Sequence, residues 1–484
     1  MMVNSGFWKG DKMLPFIKLF NCKAGYFLYD VNKNDIVELS KLEYKFILSK
    51  MIKNQNGEHF VIDDEFERLK ELKKIGFFSE SRPSKIEHEL SPYIKDYLTK
   101  RLQGVNLQVT QDCNFRCQYC SFSGSGYYDR THCRQSMSVD IAKKSVDFLK
   151  KNSCEIKNIR IGFYGGEPLL NFPMIKEVVE YSRKIMPEKD ISFYLTTNAT
   201  LLNEAMLSFF VENNFQIAIS LDGPEDVHDK YRRFAINGKG THAQVIRKLK
   251  MIFDSEPGFY KNNVRITAVV DSDQDIKSLE QYFNSDIFKY TKINFSPLDS
   301  SKSDIKRNVK QSFLNGYKDN ILKSYINNYV QTEGAIQNEN SLLFANSGEY
   351  DDFLKALSRK TPLVKAHHSG PCIPGHSKML VTTNGELFTC EKASGKSETM
   401  IIGDLYRGYD YKNIYSLLNI GQITENECKN CWAIRFCNSC AVNIDNLDCL
   451  SKKLKLEECT LTVKRVESLL KNHVTITKLK EKVK

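Results

Sequence analysis

The chain has 484 residues, of which 41% are hydrophobic and 27% are charged, and 70 Lys and Arg outnumber 59 Asp and Glu. This is the composition of an ordinary globular protein of about three domains, so an intrinsically disordered chain is excluded. The net charge of +11 fits a nucleic acid and an acidic peptide equally well. No apolar run has the ~18 residues that a membrane span needs, and the polar N-terminus lacks the apolar core of a secretory signal. We therefore expect a cytoplasmic protein.

The 14 cysteines are unevenly distributed, since three lie between Cys113 and Cys120 and eight lie from Cys372 onward. A cytoplasmic protein keeps its thiols reduced, so a disulfide framework does not explain them. Clustered cysteines in such a protein indicate metal sites.

The first 85 residues are predicted to form a small winged-helix-like module in which strands precede helices. Residues 86–104 are predicted to be a linker that carries a docking helix. Strand patterns occur at 16–20, 26–29 and 36–39, and apolar residues recur with helical spacing at 42–51 and 63–74.

From residue 105 to about 300, strand-like runs alternate with helical runs, which indicates βαβ units and a parallel sheet. The alternation leaves open whether this sheet is flat or a partial barrel, but in both cases functional side chains belong at the carboxyl ends of the strands. The expected strands are 105–110, 159–164, 191–197, 215–221, 264–270 and 292–298. The expected helices are 138–151, 172–185, 203–213 and 241–253.

The rest of the chain divides into three segments. Residues 301–367 are polar and are predicted to be a helical connector. Residues 368–460 are rich in cysteines and turns and have little apolar sequence, so we expect bound metal rather than a conventional core to hold them together. Residues 461–484 are predicted to form a basic amphipathic helix with a solvated face.

Three cysteines, Cys113, Cys117 and Cys120, follow the first strand of the parallel sheet with the spacing CxxxCxxC. Three thiolates in a tight loop can bind three irons of a [4Fe–4S] cluster and leave the fourth iron open to a chelating ligand. A zinc site is the alternative, and it would need a fourth ligand such as His132 or Cys133. The position after the first strand favours the cluster.

Further motifs lie at the ends of the next strands. In the first of these motifs, Gly165 and Gly166 would allow the backbone to approach a ligand closely. The carboxylate of Glu167 can accept a hydrogen bond from an ammonium group. Each motif alone is also explained as a turn or a helix cap. Arg265 opens the fifth strand, where its side chain faces either a ligand or solvent. The motifs are Gly165-Gly166-Glu167-Pro168, Thr196-Thr197-Asn198 and Ser220-Leu221-Asp222-Gly223, the last followed by Arg232.

CxxxCxxC at the end of a first strand, with Tyr119 before its last cysteine, resembles the signature of the radical S-adenosylmethionine (radical SAM) superfamily. The resemblance implies an α/β fold with a partial (β/α)6 barrel. It also implies that Cys113, Cys117 and Cys120 hold the cluster, that SAM chelates the fourth iron, and that reductive cleavage of SAM yields a 5′-deoxyadenosyl radical. The implied SAM contacts are Tyr119, Gly165, Gly166, Glu167, Thr197, Asn198, Ser220, Asp222 and Arg232.

The C-terminal cysteines resemble the SPASM domain of peptide-modifying radical SAM enzymes, which holds two auxiliary [4Fe–4S] clusters. The domain opens with a cysteine, a glycine and a second cysteine, which Cys372, Gly385 and Cys390 match. Twelve residues separate the first two and four separate the last two. The family's interleaved pattern implies that the first auxiliary cluster takes Cys372, Cys390 and Cys440. The same pattern implies that the second takes Cys428, Cys431, Cys437 and Cys459.

Two departures from the SPASM pattern bear on these ligands. Two residues separate Cys437 from Cys440 where the family usually has three, and no cysteine lies within 373–389, which leaves the first auxiliary cluster one ligand short. Cys449 competes with Cys459 for the second cluster, although spacing favours Cys459. Eight cysteines that bind two zinc ions are the alternative. The candidates for the missing ligand are a substrate thiolate, water, Cys449 and His376.

A three-stranded, winged-helix-like unit before such a core resembles the RiPP recognition element, which binds the leader of a precursor peptide as an added strand at a sheet edge. The resemblance implies a radical SAM/SPASM maturase of the ranthipeptide or sactipeptide type, which forms thioether cross-links in a Cys-containing precursor peptide. The implied cofactors are SAM and three [4Fe–4S] clusters, and the implied electron donor is a flavodoxin or ferredoxin.

Three alternatives stay open from the sequence. The N-terminal unit could merely cover the open side of the core. The enzyme could be an anaerobic sulfatase-type maturase, which oxidises Cys or Ser to formylglycine and needs no leader-binding unit. The chain could also be a non-catalytic iron–sulfur or zinc protein that binds nucleic acid, which a steep salt dependence of that binding would reveal.

Overall fold

The computed structural model describes residues 14–54, 60–120, 122, 132–285, 287–298, 309–330, 347–368 and 372–483. Parts of the predicted N-terminal module and of the predicted connector at 301–367 therefore lie outside the described residues. In the described ranges, no helix is both long enough and apolar enough to cross a membrane.

The N-terminal elements form where the sequence predicts them. Three antiparallel strands pair in chain order as one small sheet, and two helices follow. One face of the sheet packs on the helices through buried Leu28 and Leu39, while buried Phe27 and Tyr29 on the other face join a different apolar cluster. The elements are β1 (Ile17–Cys22), β2 (Gly25–Asp30), β3 (Asp35–Leu39), α1 (Lys41–Asn54) and α2 (Glu67–Lys74).

The predicted linker has structure of its own. The short strand β4 (Lys85–Ile86) pairs in parallel with β11 (Lys365–Ala366), so the chain before the core meets the chain that leaves it. The expected docking helix is α3 (Ile94–Lys100).

Six parallel strands follow, and each pairs with its neighbour in the sequence. Right-handed crossovers between strands in consecutive order put every helix on the same face of the sheet, as in a barrel. The order contains no reversal point, which a doubly wound sheet requires. The strands are β5 (Gly104–Thr110), β6 (Asn158–Gly165), β7 (Asp190–Thr197), β8 (Gln216–Ser220), β9 (Val264–Val270) and β10 (Lys292–Pro297).

Helices connect these strands, and side-chain caps begin two of the predicted ones. Ser138 accepts the N–H of Ile141, and Asn203 accepts the N–H of Met206. The helices are α4 (Val139–Lys151), α5 (Phe172–Ile185), α6 (Glu204–Glu212), α7 (Glu225–Tyr231), α8 (His242–Ser255), α9 (Pro257–Asn263) and α10 (Ile276–Phe283), followed by α11 (Gln311–Tyr329) and α12 (Ser347–Ser358).

The cysteine-rich segment extends the main sheet, which the sequence analysis missed. β12 pairs in parallel with β5, and three antiparallel strands continue from it. Met379, Leu380 and Phe388 are buried in the main core, so the expectation that this segment lacks a conventional core was wrong. Strands this short carry too few residues for a clear periodic pattern. They are β12 (Met379–Val381), β13 (Glu386–Phe388), β14 (Ile401–Asp404) and β15 (Gly408–Tyr409).

The last three helices are α13 (Tyr411–Leu418), α14 (Glu425–Lys429) and α15 (Lys452–Val483). The predicted basic tail is therefore the larger, C-terminal part of one long helix, α15. Val466, Leu470 and Ile476 of α15 are buried, so this helix packs an apolar face against the protein.

The N-terminal sheet docks on the C-terminal half of the chain through Asn34. This residue is buried and has φ of 51°, and its Oδ1 accepts the Tyr29 hydroxyl at 2.8 Å. Its Nδ2 lies 2.7 Å from Ala356 O and 2.8 Å from Arg359 O, where it satisfies carbonyls at the end of α12.

Replacing Asn34 with Gly should weaken this docking by about 1–3 kcal/mol, because buried carbonyls lose their donor while Gly tolerates the positive φ. Hydrogen exchange of β1–β3 and α12 measures the loss. The control is Asn214→Gly, which also removes a side chain at positive φ (50°) but is exposed between α6 and β8. Unchanged exchange in Asn34→Gly would show that the docking rests on apolar packing alone.

Candidate functional site

The cysteine loop, residues 113–120, directly follows β5 and is held by the segment after α7. Arg116 N–H donates to Arg233 O at 2.9 Å, and Gln118 N–H donates to Tyr231 O at 3.2 Å. The backbone of the loop therefore has partners independent of any bound group, and these partners keep it at the carboxyl ends of the strands.

The three thiols of this loop lie close together. Burial raises the pKa of Cys113, and Glu167, Cys117 and Cys120 raise it further. Burial also raises the pKa of Cys117, to about 12. Arg232 lowers this pKa, and Cys120 raises it further. Because burial and mutual repulsion both disfavour the thiolates, a positively charged group between them would offset both.

Backbone N–H groups point at two of these sulfurs. Phe115 N–H donates to Cys113 Sγ, and Phe122 N–H donates to Cys120 Sγ, each at 3.4 Å. Such donors stabilise negative sulfur, and they are among the features that set the properties of iron–sulfur clusters.

Gly165 and Gly166 allow the end of β6 to approach the cysteine loop. A Cβ on Gly166 would lie 1.9 Å from Asp112 O, and one on Gly165, whose φ is 139°, would lie 2.2 Å from Thr110 O. Gly166 N–H in turn donates to Thr110 O at 2.8 Å. These glycines therefore permit contact between two strand ends, whereas the sequence analysis expected contact with a ligand.

Glu167 is buried between the strand ends. Its Oε1 accepts the Thr197 hydroxyl at 2.6 Å and the Leu169 N–H at 3.1 Å, and its Oε2 accepts the Asn198 N–H at 2.8 Å. Burial raises the pKa of Glu167 to about 7, against the effect of these donors. Among the described residues Oε2 accepts one hydrogen bond, and a carboxylate oxygen can accept two, so an ammonium group could donate to it.

A second buried carboxylate, Asp222, joins β8 to the cysteine loop. It accepts the Tyr119 hydroxyl, the Val269 N–H at 2.9 Å, and Nε and Nη2 of Arg232 at 2.9 and 3.1 Å. The Arg232 guanidinium lies 5.3 Å from the centre of the Tyr119 ring. The expected SAM contacts Tyr119, Asp222 and Arg232 therefore bind one another and hold the loop that carries the cysteines.

The two remaining candidates for ligand contact, Ser220 and Arg265, lie at opposite ends of the sheet. Ser220 is half-buried at the end of β8 and is in register with Thr267 of β9. Arg265 is exposed at the start of β9, at the opposite end of the sheet from the cysteines. Of its two expected orientations, the structure therefore has the one toward solvent.

The C-terminal cysteines separate into two sets, and the first contains Cys372, Cys390 and Cys440. Burial raises the pKa of Cys390 to about 11, and Glu391, Cys440 and Cys372 raise it further. Burial likewise raises the pKa of Cys440, with a contribution from Cys372. His376 lies elsewhere, with Nε2 3.4 Å from the Tyr97 hydroxyl.

The second set contains Cys428, Cys431, Cys437 and Cys459. Burial raises the pKa of Cys431, and the other three thiols raise it further. Cys449 is exposed and lines a separate surface pocket. The structure thus groups Cys459, and not Cys449, with the other three.

Comparisons with known proteins agree with this geometry. The model of the radical SAM superfamily matches residues 107–280. The cysteine-type anaerobic sulfatase-maturating enzyme of Clostridium novyi (strain NT) is 26% identical over 359 residues, which are 68% of this chain and 85% of that protein. The radical SAM cyclopropyl synthase TigE of Paramaledivibacter caminithermalis is 22% identical over 365 residues, which are 73% of this chain and 70% of that protein.

The solved structure of native anSMEcpe with bound AdoMet aligns with a TM-score of 0.54 at 20% identity, over 77% of this chain and 99% of that one. At this identity the likeness concerns the fold, and it agrees with the six parallel strands in consecutive order. Residues 107–280 form a radical SAM domain.

A radical SAM domain works with SAM and a [4Fe–4S] cluster, and the residues present fit both groups. Three reduced thiols lie together with backbone donors aimed at sulfur, and Glu167 has a free acceptor position nearby. In the described part of the chain, no three His, Cys, Asp or Glu side chains converge closely enough to hold a single ion.

Two residues around the radical SAM site, Asn114 and Thr200, were not expected from the sequence. Asn114 Oδ1 accepts Asn198 Nδ2 at 2.8 Å, and Asn114 Nδ2 donates to Thr200 Oγ1 at 2.9 Å. This ring of side chains fixes Asn198 beside the cysteine loop. His228 is buried, its Nδ1 accepts the Asp222 N–H at 3.2 Å, and burial lowers its pKa to about 3, so it is neutral. Asn114 lies inside CxxxCxxC, which was the only sequence signal.

Replacing Arg232 with Met should cost about 3–5 kcal/mol of stability, because the buried carboxylate of Asp222 loses its paired cation. Urea unfolding and hydrogen exchange of residues 113–120 measure the effect. The matched control is Lys143→Met, which removes a partly exposed ion pair with Glu177 at 3.0 Å and should cost at most ~1 kcal/mol. Equal losses in the two variants would contradict a special role of the Asp222 network.

Proposed function

We propose that this protein is a maturase that forms intramolecular thioether cross-links in a ribosomally made, Cys-containing precursor peptide. The observation that carries the proposal is the grouping of the C-terminal cysteines into one set of three and one set of four. Cys390 and Cys440 of the first set pack against the main core, whereas Cys428 and Cys431 of the second pack against the other apolar cluster. A set of three leaves one iron of a cluster without a protein thiolate, and that iron can bind the thiolate of a substrate.

In the radical SAM domain, we assign Cys113, Cys117 and Cys120 as cluster ligands and Glu167 as acceptor of the SAM ammonium group. When bound, SAM and its cluster supply a 5′-deoxyadenosyl radical that removes a hydrogen atom from an unactivated carbon. The chain's own residues position these groups: Thr197 and Asn198 orient the carboxylate of Glu167 through direct hydrogen bonds.

We assign Cys372, Cys390 and Cys440 to a first auxiliary [4Fe–4S] cluster and Cys428, Cys431, Cys437 and Cys459 to a second, within a SPASM domain at 368–460. Formation of the carbon–sulfur bond removes one hydrogen atom from carbon, one proton from the thiol and one electron. The auxiliary clusters are the acceptors for that electron, and a flavodoxin or ferredoxin is the external donor for SAM cleavage. We propose a cytoplasmic location because these clusters require reducing conditions.

The leader of the precursor is proposed to bind the N-terminal module, residues 1–85, at the edge of β3. The other edge strand, β1, is covered by α15, whose Glu467 pairs with Lys18 at 2.9 Å. The second face of the sheet packs in an apolar cluster with α12, α15 and residues 433–436, and among the described residues this cluster contains no strand of the parallel sheet. This packing favours a recognition role over a cover for the core.

The β3 edge presents outward-facing polar groups at Glu38, and a leader strand added there would take over the Glu38 carbonyl from Arg68. Glu38 O accepts Arg68 Nη2 at 2.7 Å from outside the sheet, so the N–H and C=O of Glu38 point outward. Beside this edge, α1 exposes Leu42 (73%) and Ile52 (53%), which an apolar side chain of a leader could cover.

Co-expression with a Cys-containing precursor tests the function directly, because each thioether removes two hydrogens, which mass spectrometry detects. Glu38→Pro should abolish this mass loss, since Pro removes an outward N–H without breaking the β2–β3 ladder. Glu38→Ala is the control and should retain modification. Both variants should cleave SAM without peptide, and loss of that activity in Glu38→Pro would instead indicate a structural cover.

An open iron in the first auxiliary cluster predicts a direct spectroscopic response. A Cys-containing precursor should perturb the EPR signal of this cluster, whereas the same peptide with Cys replaced by Ser should not. Cys449→Ala should leave the signal unchanged, because Cys449 lies apart from the set. An unchanged signal with the Cys peptide in an active enzyme would rule out ligation by the substrate.

The similarity to the Clostridium novyi sulfatase-maturating enzyme, over 85% of that protein, favours formylglycine formation as the second candidate function. Oxidation of a peptide Cys to formylglycine removes sulfur, whereas thioether formation retains it. The mass of the product therefore separates the two functions in one experiment.

A further inference from the structure

Lys455 is a fully buried lysine on α15 whose ammonium group lacks a hydrogen-bond partner among the described residues. Transfer of an unpaired ammonium group from water to a protein interior costs several kcal/mol. Lysine is for this reason almost never fully buried unless it is paired. Its surroundings should therefore contain an anionic group when the protein is in its working state.

The surroundings of Lys455 are the thiols of the four-cysteine set. Cys459 lies four residues further along α15, so the two side chains are on the same face of the helix, about 5–6 Å apart at their Cβ atoms. Burial raises the pKa of Cys437 and Cys459, and Lys455 opposes the rise at both thiols. Lys455 therefore acts electrostatically on thiols from two separate segments of the set.

Two histidines, buried His368 and half-buried His367, lie near Lys455. His368 has no partner for either ring nitrogen, and His367 has none for Nε2, within the described chain. Lys455 lowers the pKa of both imidazoles, in addition to the larger effect of burial, so both are close to it and neutral. The Lys455 ammonium group therefore lies beside thiols of the four-cysteine set and neutral imidazoles.

We propose that Lys455 is the counter-charge of the cluster held by Cys428, Cys431, Cys437 and Cys459 and raises its reduction potential. This inference rests on the auxiliary clusters of the proposed function. Four thiolates give the cluster a net negative charge, and one-electron reduction adds one more negative charge. A fixed cation nearby stabilises the reduced form more than the oxidised form, so the cluster accepts an electron more readily.

The consequence concerns the electron released by thioether formation. All four irons of this cluster have protein thiolates, so its role is electron transfer and not substrate binding. The three-cysteine set is the one with an open iron. The counter-charge raises the potential of the four-cysteine cluster above the value that it would have without Lys455, which favours electron transfer to this cluster and away from the substrate.

EPR-monitored redox titration of the full-length chain tests the proposal, in a background of Cys113→Ala, Cys117→Ala and Cys120→Ala that leaves only auxiliary clusters. Lys455→Met should lower the midpoint potential of one auxiliary signal by at least about 59 mV. For one electron this is a tenfold change in the equilibrium constant of reduction. Lys455→Arg should keep the parent potential, and the other auxiliary signal should not move.

Lys453→Met, at an exposed position on the same helix, is the matched control and should shift neither signal. Unchanged potentials in Lys455→Met, or equal shifts of both signals, would overturn the proposal. If Lys455→Met loses iron, retention of iron by Lys455→Arg supports a role of the charge, and loss in both variants overturns it. Absence of auxiliary iron from the parent, where about eight per chain are expected, would instead refute the proposed clusters themselves.

Discussion

The carboxylate of Asp222 holds together the parts of the chain that build the radical SAM site. It accepts hydrogen bonds from Tyr119 in the cysteine loop, from Arg232 after α7 and from the backbone of Val269 in β9. A carboxylate this deeply buried is stable only with its cation and all its donors in position, so the pieces order one another. The loop can therefore keep three thiols together although burial and mutual repulsion disfavour their ionised forms.

Close backbone contact provides the second constraint on the site. Gly165 and Gly166 let the end of β6 touch the carbonyls of Thr110 and Asp112, and any side chain at these positions would collide with them. This contact brings Glu167 beside the cysteine loop and fixes the distance between the carboxylate and the thiols. The glycines therefore act by permitting this backbone contact, and the contact in turn places the Glu167 carboxylate that we propose binds a ligand.

The N-terminal sheet and the four-cysteine set are physically joined. Arg435, between Cys431 and Cys437, donates through Nε to Val31 O at 2.8 Å, and the rings of Tyr29 and Phe436 lie 5.4 Å apart. A peptide bound at the edge of β3 would therefore be held by a unit that is rigidly attached to the cysteine-rich segment. The proposed recognition unit and the four-cysteine set share one apolar cluster, and α15 belongs to it as well.

The sequence by itself determined the local features. The six core strands, four of the helices, the N-terminal strands and the cysteine loop follow from periodicity and spacing, because each depends on residues near one another in the chain. The spacing of Cys113, Cys117 and Cys120 also predicted a common site, since a turn of eight residues cannot separate them widely.

Only the tertiary structure decided features that join distant segments. The assignment of Cys459 rather than Cys449 to the four-cysteine set depends on how α15 packs, and β12 joined β5 because buried Met379 and Leu380 complete the main core. The family resemblance implied Asp222 and Arg232 as SAM contacts, and only the fold shows that they also bind each other. Lys455 gave no signal in the sequence, because a lysine in a basic helix normally faces water and only packing shows that this one does not.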